Sequence, residues 1–123
     1  MMTEPHVHVS VQDGVRIVRL SGEFDADAAE LLERNVGAPE PGSVLGVVVD
    51  LSDVSFADSS FLHVLLGARR LHDALGVPFV LTAPSDAPQR LLEMTDTARA
   101  FTIAPGLDAA SDLARARHGE AAG

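Results

Sequence analysis

The sequence predicts an α/β domain: a mixed, mostly parallel sheet carrying helices, opened by an antiparallel hairpin, in the order ββαβαβαβα. Three observations carry this prediction. Val7, Val9 and Val11 alternate with His8 and Ser10, and an Asp13-Gly14 pair follows before a second apolar stretch. Alternation of period two marks a strand with one buried face, and Asp-Gly marks a tight hairpin turn. Residues 45–51, LGVVVDL, form an unbroken apolar run, which suits a strand covered on both faces. From there on, helix-like and strand-like segments take turns, the pattern of a layered α/β fold.

The elements follow in order. Val15 to Leu20 is the returning strand of the hairpin, ended by Ser21-Gly22. A helix comes next, capped by Asp25 or Asp27; Asp27 with Glu30 three residues on has the spacing of a capping box. Ala28, Leu31, Leu32 and Val36 make its apolar stripe, and Gly37 with the Pro39–Gly42 run ends it. After the apolar strand, Ser52–Ala57 reads as a loop into a helix that opens at Asp58–Ser60 and runs to about Leu75, where Gly76 and Pro78 stop it. Val77–Leu81 is a strand, residues 84–94 hold a short helix, and Ala100–Ile103 is the last strand. Leu107–Arg117 is a terminal helix with Leu107, Ala110, Leu113 and Ala114 facing inward.

A chain of 123 residues fits one domain over 1–123, with a core from about Val7 to Arg117 and a frayed tail over 118–123. Its 46% apolar content, with five Phe among many Val, Leu and Ala, is enough for one core. Eighteen acidic against nine basic residues leave a formal charge of −9. Such a surface repels phosphate backbones and anionic lipid, which excludes direct nucleic-acid and membrane binding. Without Cys, thiol catalysis, disulfides and thiolate metal sites are excluded. His6, His8, His72 and His118 lack metal-site spacing and read as surface residues. No cofactor is expected. No apolar run approaches the roughly 18 residues of a membrane span, and MMTEPHVHV lacks the features of a signal peptide. The expectation is a cytoplasmic protein.

The candidate site is Asp58-Ser59-Ser60, at the mouth of the leucine-rich helix. Three chemistries suit hydroxyls there. Asp58 or Ser59 can cap the helix by accepting its unpaired N–H groups. Ser59 or Ser60 can share a helix face with His63 and act as a nucleophile. That reading also needs an oxyanion hole and an orienting acid, and no G-x-S-x-G elbow is present. Third, a serine here can receive a phosphate, since a helix N-terminus favours negative charge. Phosphorylation adds about −1.5 to −2 charges at pH 7, tolerable within the domain and disruptive inside a docked interface. The residues alone do not decide between cap and switch.

Two segments decide it by resemblance. DLSDVSFADSS, Asp50–Ser60, resembles the signature of bacterial anti-sigma factor antagonists of the STAS-domain family. LSGEFDADAAELL, Leu20–Leu32, resembles that family's Ser-Gly-Glu-(apolar)-Asp segment leading into the first helix. The resemblance spans about Val7 to Arg117 and implies a small mixed sheet carrying helices, and no enzymatic activity. It implies an anti-sigma factor that is also a serine kinase as partner, a serine phosphatase that resets the switch, and release on phosphorylation. Carried over by position, Ser60 is the phosphoacceptor, Asp58 and Ser59 support the loop, and Asp25 and Phe61 lie at the partner-binding surface. Phe61 stands where the family usually has Gly; its ring either blocks a kinase's close approach or turns inward as core. The family's Gly near Asp96 is also missing, which bears on a turn. The alternative is a STAS scaffold subunit of a lipid-transport or stress-signalling assembly with no phosphate cycle. Oligomeric state is not legible.

Overall fold

Strands follow one another across the sheet in chain order, and that order dictates where the helices go. In the computed structural model, which describes residues 3–122 and side chains for residues 3–116, the elements are β1 (His6–Gln12), β2 (Val15–Phe24), α1 (Ala29–Val36), β3 (Gly46–Ala57), α2 (Ser59–Leu75), β4 (Phe79–Thr82), α3 (Asp86–Met94), β5 (Thr102–Ala104) and α4 (Leu107–Ala122). The sheet order is β1-β2-β3-β4-β5. β1 and β2 are antiparallel; the other neighbours are parallel. Each parallel step needs a right-handed crossover, and three steps in one direction bring α1, α2 and α3 to one face. The other face is left to α4.

The two cores follow from this. Val18, Leu20, Val47, Val49, Leu51 and Leu81 point to the three-helix face and meet Leu32, Val36, Leu65 and Leu92. Residues of opposite parity, Val15, Ile17, Val48 and Val80, meet Ala110 and Ala114 of α4. The apolar run of β3 is thus buried on both faces, as its composition predicts. Gly46 lets α4 lie close, since a Cβ there would sit 2.5 Å from the Ala114 carbonyl oxygen. Asp13 and Gly14, at φ 51° and 82°, make the hairpin turn.

Several expectations are corrected. Ser21-Gly22 does not end β2. It forms a bulge between two register shifts, with Gly22 at φ 92°, and the strand continues to Phe24. The N-terminal chain crosses so closely that a Cβ on Gly22 would lie 2.2 Å from the Glu4 carbonyl oxygen. Ser52–Ala57 is strand rather than loop. The capping box of Asp27 and Glu30 does not form: the N-cap of α1 is Ala28, without a side-chain bond, and the chain enters through a single 3-10 turn, Ala26–Ala28, capped by Asp25. Val9 and Val11 are exposed on the edge strand, Phe56 is 43% exposed rather than core, and Leu113 is half exposed.

His72, expected at the surface, is wholly buried. Its Nδ1–H donates to the Ala68 carbonyl at 2.7 Å, and its ring lies 4.6 Å from that of Phe79. One fixed partner on its own helix and one aromatic neighbour let an uncharged imidazole fill a core position. Burial lowers its pKa, with the Ala68 hydrogen bond opposing. The expected fray over 118–123 falls on α4 as far as Ala122; Gly123 and the side chain of His118 lie outside the described residues. No described helix is long and apolar enough to cross a membrane.

Candidate functional site

The two sequence segments meet because their strands are parallel neighbours. β2 and β3 run side by side to their last residues, with Phe24 paired to Ala57. The next residue in each chain is an aspartate, Asp25 and Asp58, and each begins a helical turn. The strand register therefore places both caps at one corner, at the carboxyl ends of the parallel strands, where open α/β sheets carry their sites.

Extension of β3 past its apolar run is what reaches this corner. β4 pairs with β3 only as far as Asp50. Beyond that, Ser85 from the β4–α3 loop takes over. Its amide donates to the Leu51 carbonyl at 3.3 Å, and its hydroxyl bonds the carbonyls of Leu51, at 3.1 Å, and Val54. Asp50 is buried and holds the start of the extension. It accepts from the Ser52 amide at 3.0 Å, the Ser52 hydroxyl at 2.7 Å and Arg19 Nε at 3.3 Å. The Asp-Leu-Ser triplet is thus a local staple that also ties β3 to β2.

At the mouth of α2 the cap question has one answer. Asp58 has extended backbone, and its Oδ1 accepts from the amides of Ser60 at 2.9 Å and Phe61 at 3.3 Å. Its carbonyl accepts from Leu62 at 3.2 Å. Neither serine is the cap. Ser59 is exposed and Ser60 partly exposed, and among the described residues no hydrogen bond is made by either hydroxyl. Asp25 is partly exposed and engages the Asp27 amide at 3.0 Å.

Phe61, expected at a partner-binding surface, does not lie on the surface. It is 2% exposed and packs on Phe24 with ring centroids 5.8 Å apart. Position N3 of α2 points beneath the corner, so the bulky ring supports the loop from inside and leaves Ser60 open. Of the five sequence-derived site residues, the fold brings Asp25, Asp58, Ser59 and Ser60 to one exposed corner and sends the fifth inward.

His63 is exposed and lines a hollow with Ser59, Ser60, Glu33, Ala29 and Val64. Among the described residues it is not hydrogen-bonded to either serine, so the serine–base contact that a nucleophile needs is absent. Glu33 is a neighbour of the corner that the sequence reading did not single out. The signal for Glu33 was available: it sits four residues after Ala29, one turn into α1. No group of three His, Asp or Glu among the described residues could hold a metal ion.

Comparison with known proteins identifies the family and the fold. The STAS domain family matches residues 6–110. An anti-sigma F factor antagonist of Paenibacillus polymyxa is 32% identical over 96 residues, covering 77% of this chain and 80% of that protein. One from Lysinibacillus sphaericus is 29% identical over 80 residues, covering 64% and 68%. The crystal structure of an anti-sigma factor antagonist from Mycobacterium paratuberculosis superposes with a TM-score of 0.79 at 33% identity, covering 91% of this chain and 95% of that one.

Proposed function

The chain belongs to the STAS domain family, and from that premise we propose that it is an anti-sigma factor antagonist. In this reading it binds an anti-sigma factor that is also a serine kinase, and phosphorylation of Ser60 switches it off. It acts by binding rather than by turnover. A serine phosphatase restores the binding form, and the cycle runs in the cytoplasm.

One observation carries the switch. Asp58 caps α2 alone, so the Ser60 hydroxyl is surplus to the fold and open to solvent. Two of the first-turn amides, those of Ser60 and Phe61, are already taken by Asp58. A phosphoryl group on Ser60 would find these two donors occupied and would project outward from a partly exposed position. Its charge would act on a docked partner while the domain keeps its shape. Asp25 lies beside it as a second polar contact, and Asp58 and Ser59 shape the loop.

The scaffold alternative drew its support from Phe61 as an obstacle beside the acceptor. With the ring in the core, that ground is gone.

The test uses the purified chain, ATP and candidate anti-sigma kinases. One phosphate should be added, at Ser60, and Ser60→Ala should remain unlabelled. Ser60→Asp should weaken binding to the anti-sigma factor by at least about tenfold, or 1.4 kcal/mol. Equal labelling of Ser60→Ala would refute the site, and unchanged affinity of Ser60→Asp would refute the switch.

A further inference from the structure

Gly67 stands in the middle of the 17-residue helix α2, where glycine weakens a helix relative to alanine. The fold gives no reason for it. Its φ is not positive, unlike those of Gly14, Gly22, Gly42 and Gly76. A Cβ built on it would meet no heavy atom within 4 Å. A glycine required by neither backbone nor packing leaves its reason outside the domain, in whatever fills the space above it.

That space is a groove between α1 and α2. Val36, Val64, Ala68 and Leu71 line it around Gly67, and Glu33 and His63 stand where it opens toward Ser59 and Ser60. Glu33, His63 and Val64 border both hollows, so the two adjoin and together reach from the serine corner to Leu71, which is 49% exposed. The thirteen residues of α2 from Ser59 to Leu71 span about 18 Å, room for three turns of a second helix.

We infer that this groove receives an amphipathic helix of the anti-sigma factor, with apolar side chains against Val64, Ala68 and Leu71 and basic side chains toward Glu33 and the corner. The inference rests on the antagonist reading for the identity of the partner. Charge selects the occupant: the groove's carboxylate is Glu33, its open end adjoins Asp25 and Asp58, and the chain carries −9 overall. A second copy would bring the same acidic rim to an acidic rim and is disfavoured. A helix packs closely where glycine leaves the backbone bare, and apolar anchors at i, i+3/i+4 and i+7 suit such a groove.

The probe is a synthetic helical peptide of leucine and arginine, about three turns long, with glutamate replacing arginine in a counter-peptide. Amide NMR of the whole chain should show the arginine peptide shifting residues 33–37 and 63–71, and the glutamate peptide leaving them in place. Gly67→Leu, whose side chain enters open space, should fold with a melting temperature at or above that of wild type and bind the peptide at least tenfold more weakly. Glu33→Arg should weaken binding as well. An anti-sigma factor that binds the wild type should lose at least tenfold in affinity to Gly67→Leu. Shifts lying outside the groove, or a folded Gly67→Leu that binds either probe like wild type, would overturn the inference. Failure of the Ser60 experiment with the peptide result intact would remove the switch and leave the groove; the reverse would remove the groove alone.

Discussion

Replacing Phe61 by alanine tests whether its ring is core or contact surface, because the two roles give opposite signatures. The side chain is 2% exposed and meets the Phe24 ring at 5.8 Å and 55°. Truncating a buried Phe to Ala costs about 3–5 kcal/mol, of which a tilted ring pair contributes about 0.5–1.5 kcal/mol. Glycine at this place would cost about 1 kcal/mol more inside a helix. A domain holds about 5–15 kcal/mol in all, so Phe61→Gly removes a large share of its stability. The melting temperature of Phe61→Ala should fall on the order of 10–20 °C. Urea unfolding should be followed by far-UV circular dichroism, since the chain has no Trp or Tyr to fluoresce. Phe56→Ala, at a ring that is 43% exposed, is the control and should cost about 1 kcal/mol or less. A loss below about 1 kcal/mol for Phe61→Ala, together with weakened partner binding, would refute the argument and return the ring to the interface.

Asp58→Ala should destabilise by about 1–2 kcal/mol, because it strips the cap from two amides, whereas Ser59→Ala should stay within about 0.5 kcal/mol in the same denaturation assay. Ala83 sits at φ 52°, a conformation that costs L-residues about 1–2 kcal/mol. Ala83→Gly relieves it against an entropy penalty of about 0.4–1 kcal/mol, so calorimetry should show a net gain of roughly 0.5 kcal/mol. Buried His72 has a lowered pKa. Below the unfolded value of about 6.5 the unfolded chain takes up a proton that the native imidazole refuses, so stability is full above that pH and declines as pH falls, until the lowered native pKa is passed. In His72→Phe this component of the stability–pH curve should vanish, with the difference measured by urea titration between pH 7 and 5.

Where the sequence was legible, the physics was local. Asp13-Gly14, the run 45–51 and the Gly76 stop each declare themselves through backbone geometry or composition, and the structure has all three. Where it was not, a distant contact decided. Ser52–Ala57 has loop-like composition, yet pairing with β2 on one side and the hydroxyl of Ser85 on the other hold it extended. Only Val54 within it is buried, too faint a signal of alternation to outweigh Asp and Ser. Gly22 reads as a terminator and is a bulge, because Glu4 passes across it. His72 looks like a surface residue until Phe79 and the Ala68 carbonyl are placed around it. The site itself was half legible. Asp58 and Ser60 could be named from the motif, but the assignment of the cap to Asp58 alone needed coordinates. So did the meeting of Asp25 with Asp58, which follows from a strand register that no single segment encodes.

The Asp58 cap bears on the proposed switch, in which a charge placed at Ser60 would be harmless at home and harmful abroad. A phosphoryl group of about two negative charges facing a carboxylate such as that of Asp58 in open water meets, for a separation on the order of 6 Å, a repulsion of about 1.4 kcal/mol before salt screening. The same pair closed under a partner, at an effective dielectric constant near 20, repels by about 5.5 kcal/mol. The difference, roughly 4 kcal/mol, is close to a thousandfold in affinity. It arises from burial alone and needs no movement of α2. Asp58 is then more than a cap. By occupying two first-turn amides, it would leave a phosphate on Ser60, in the proposed switch, with fewer donors of its own helix to neutralise it and more charge to act on a docked partner. Asp58→Asn, which keeps an oxygen acceptor for the cap and removes the carboxylate, should therefore preserve stability to within about 0.5 kcal/mol and blunt the effect of Ser60 phosphorylation on affinity. Equal loss of affinity on phosphorylating the Asn variant would show that the carboxylate has no part in the release.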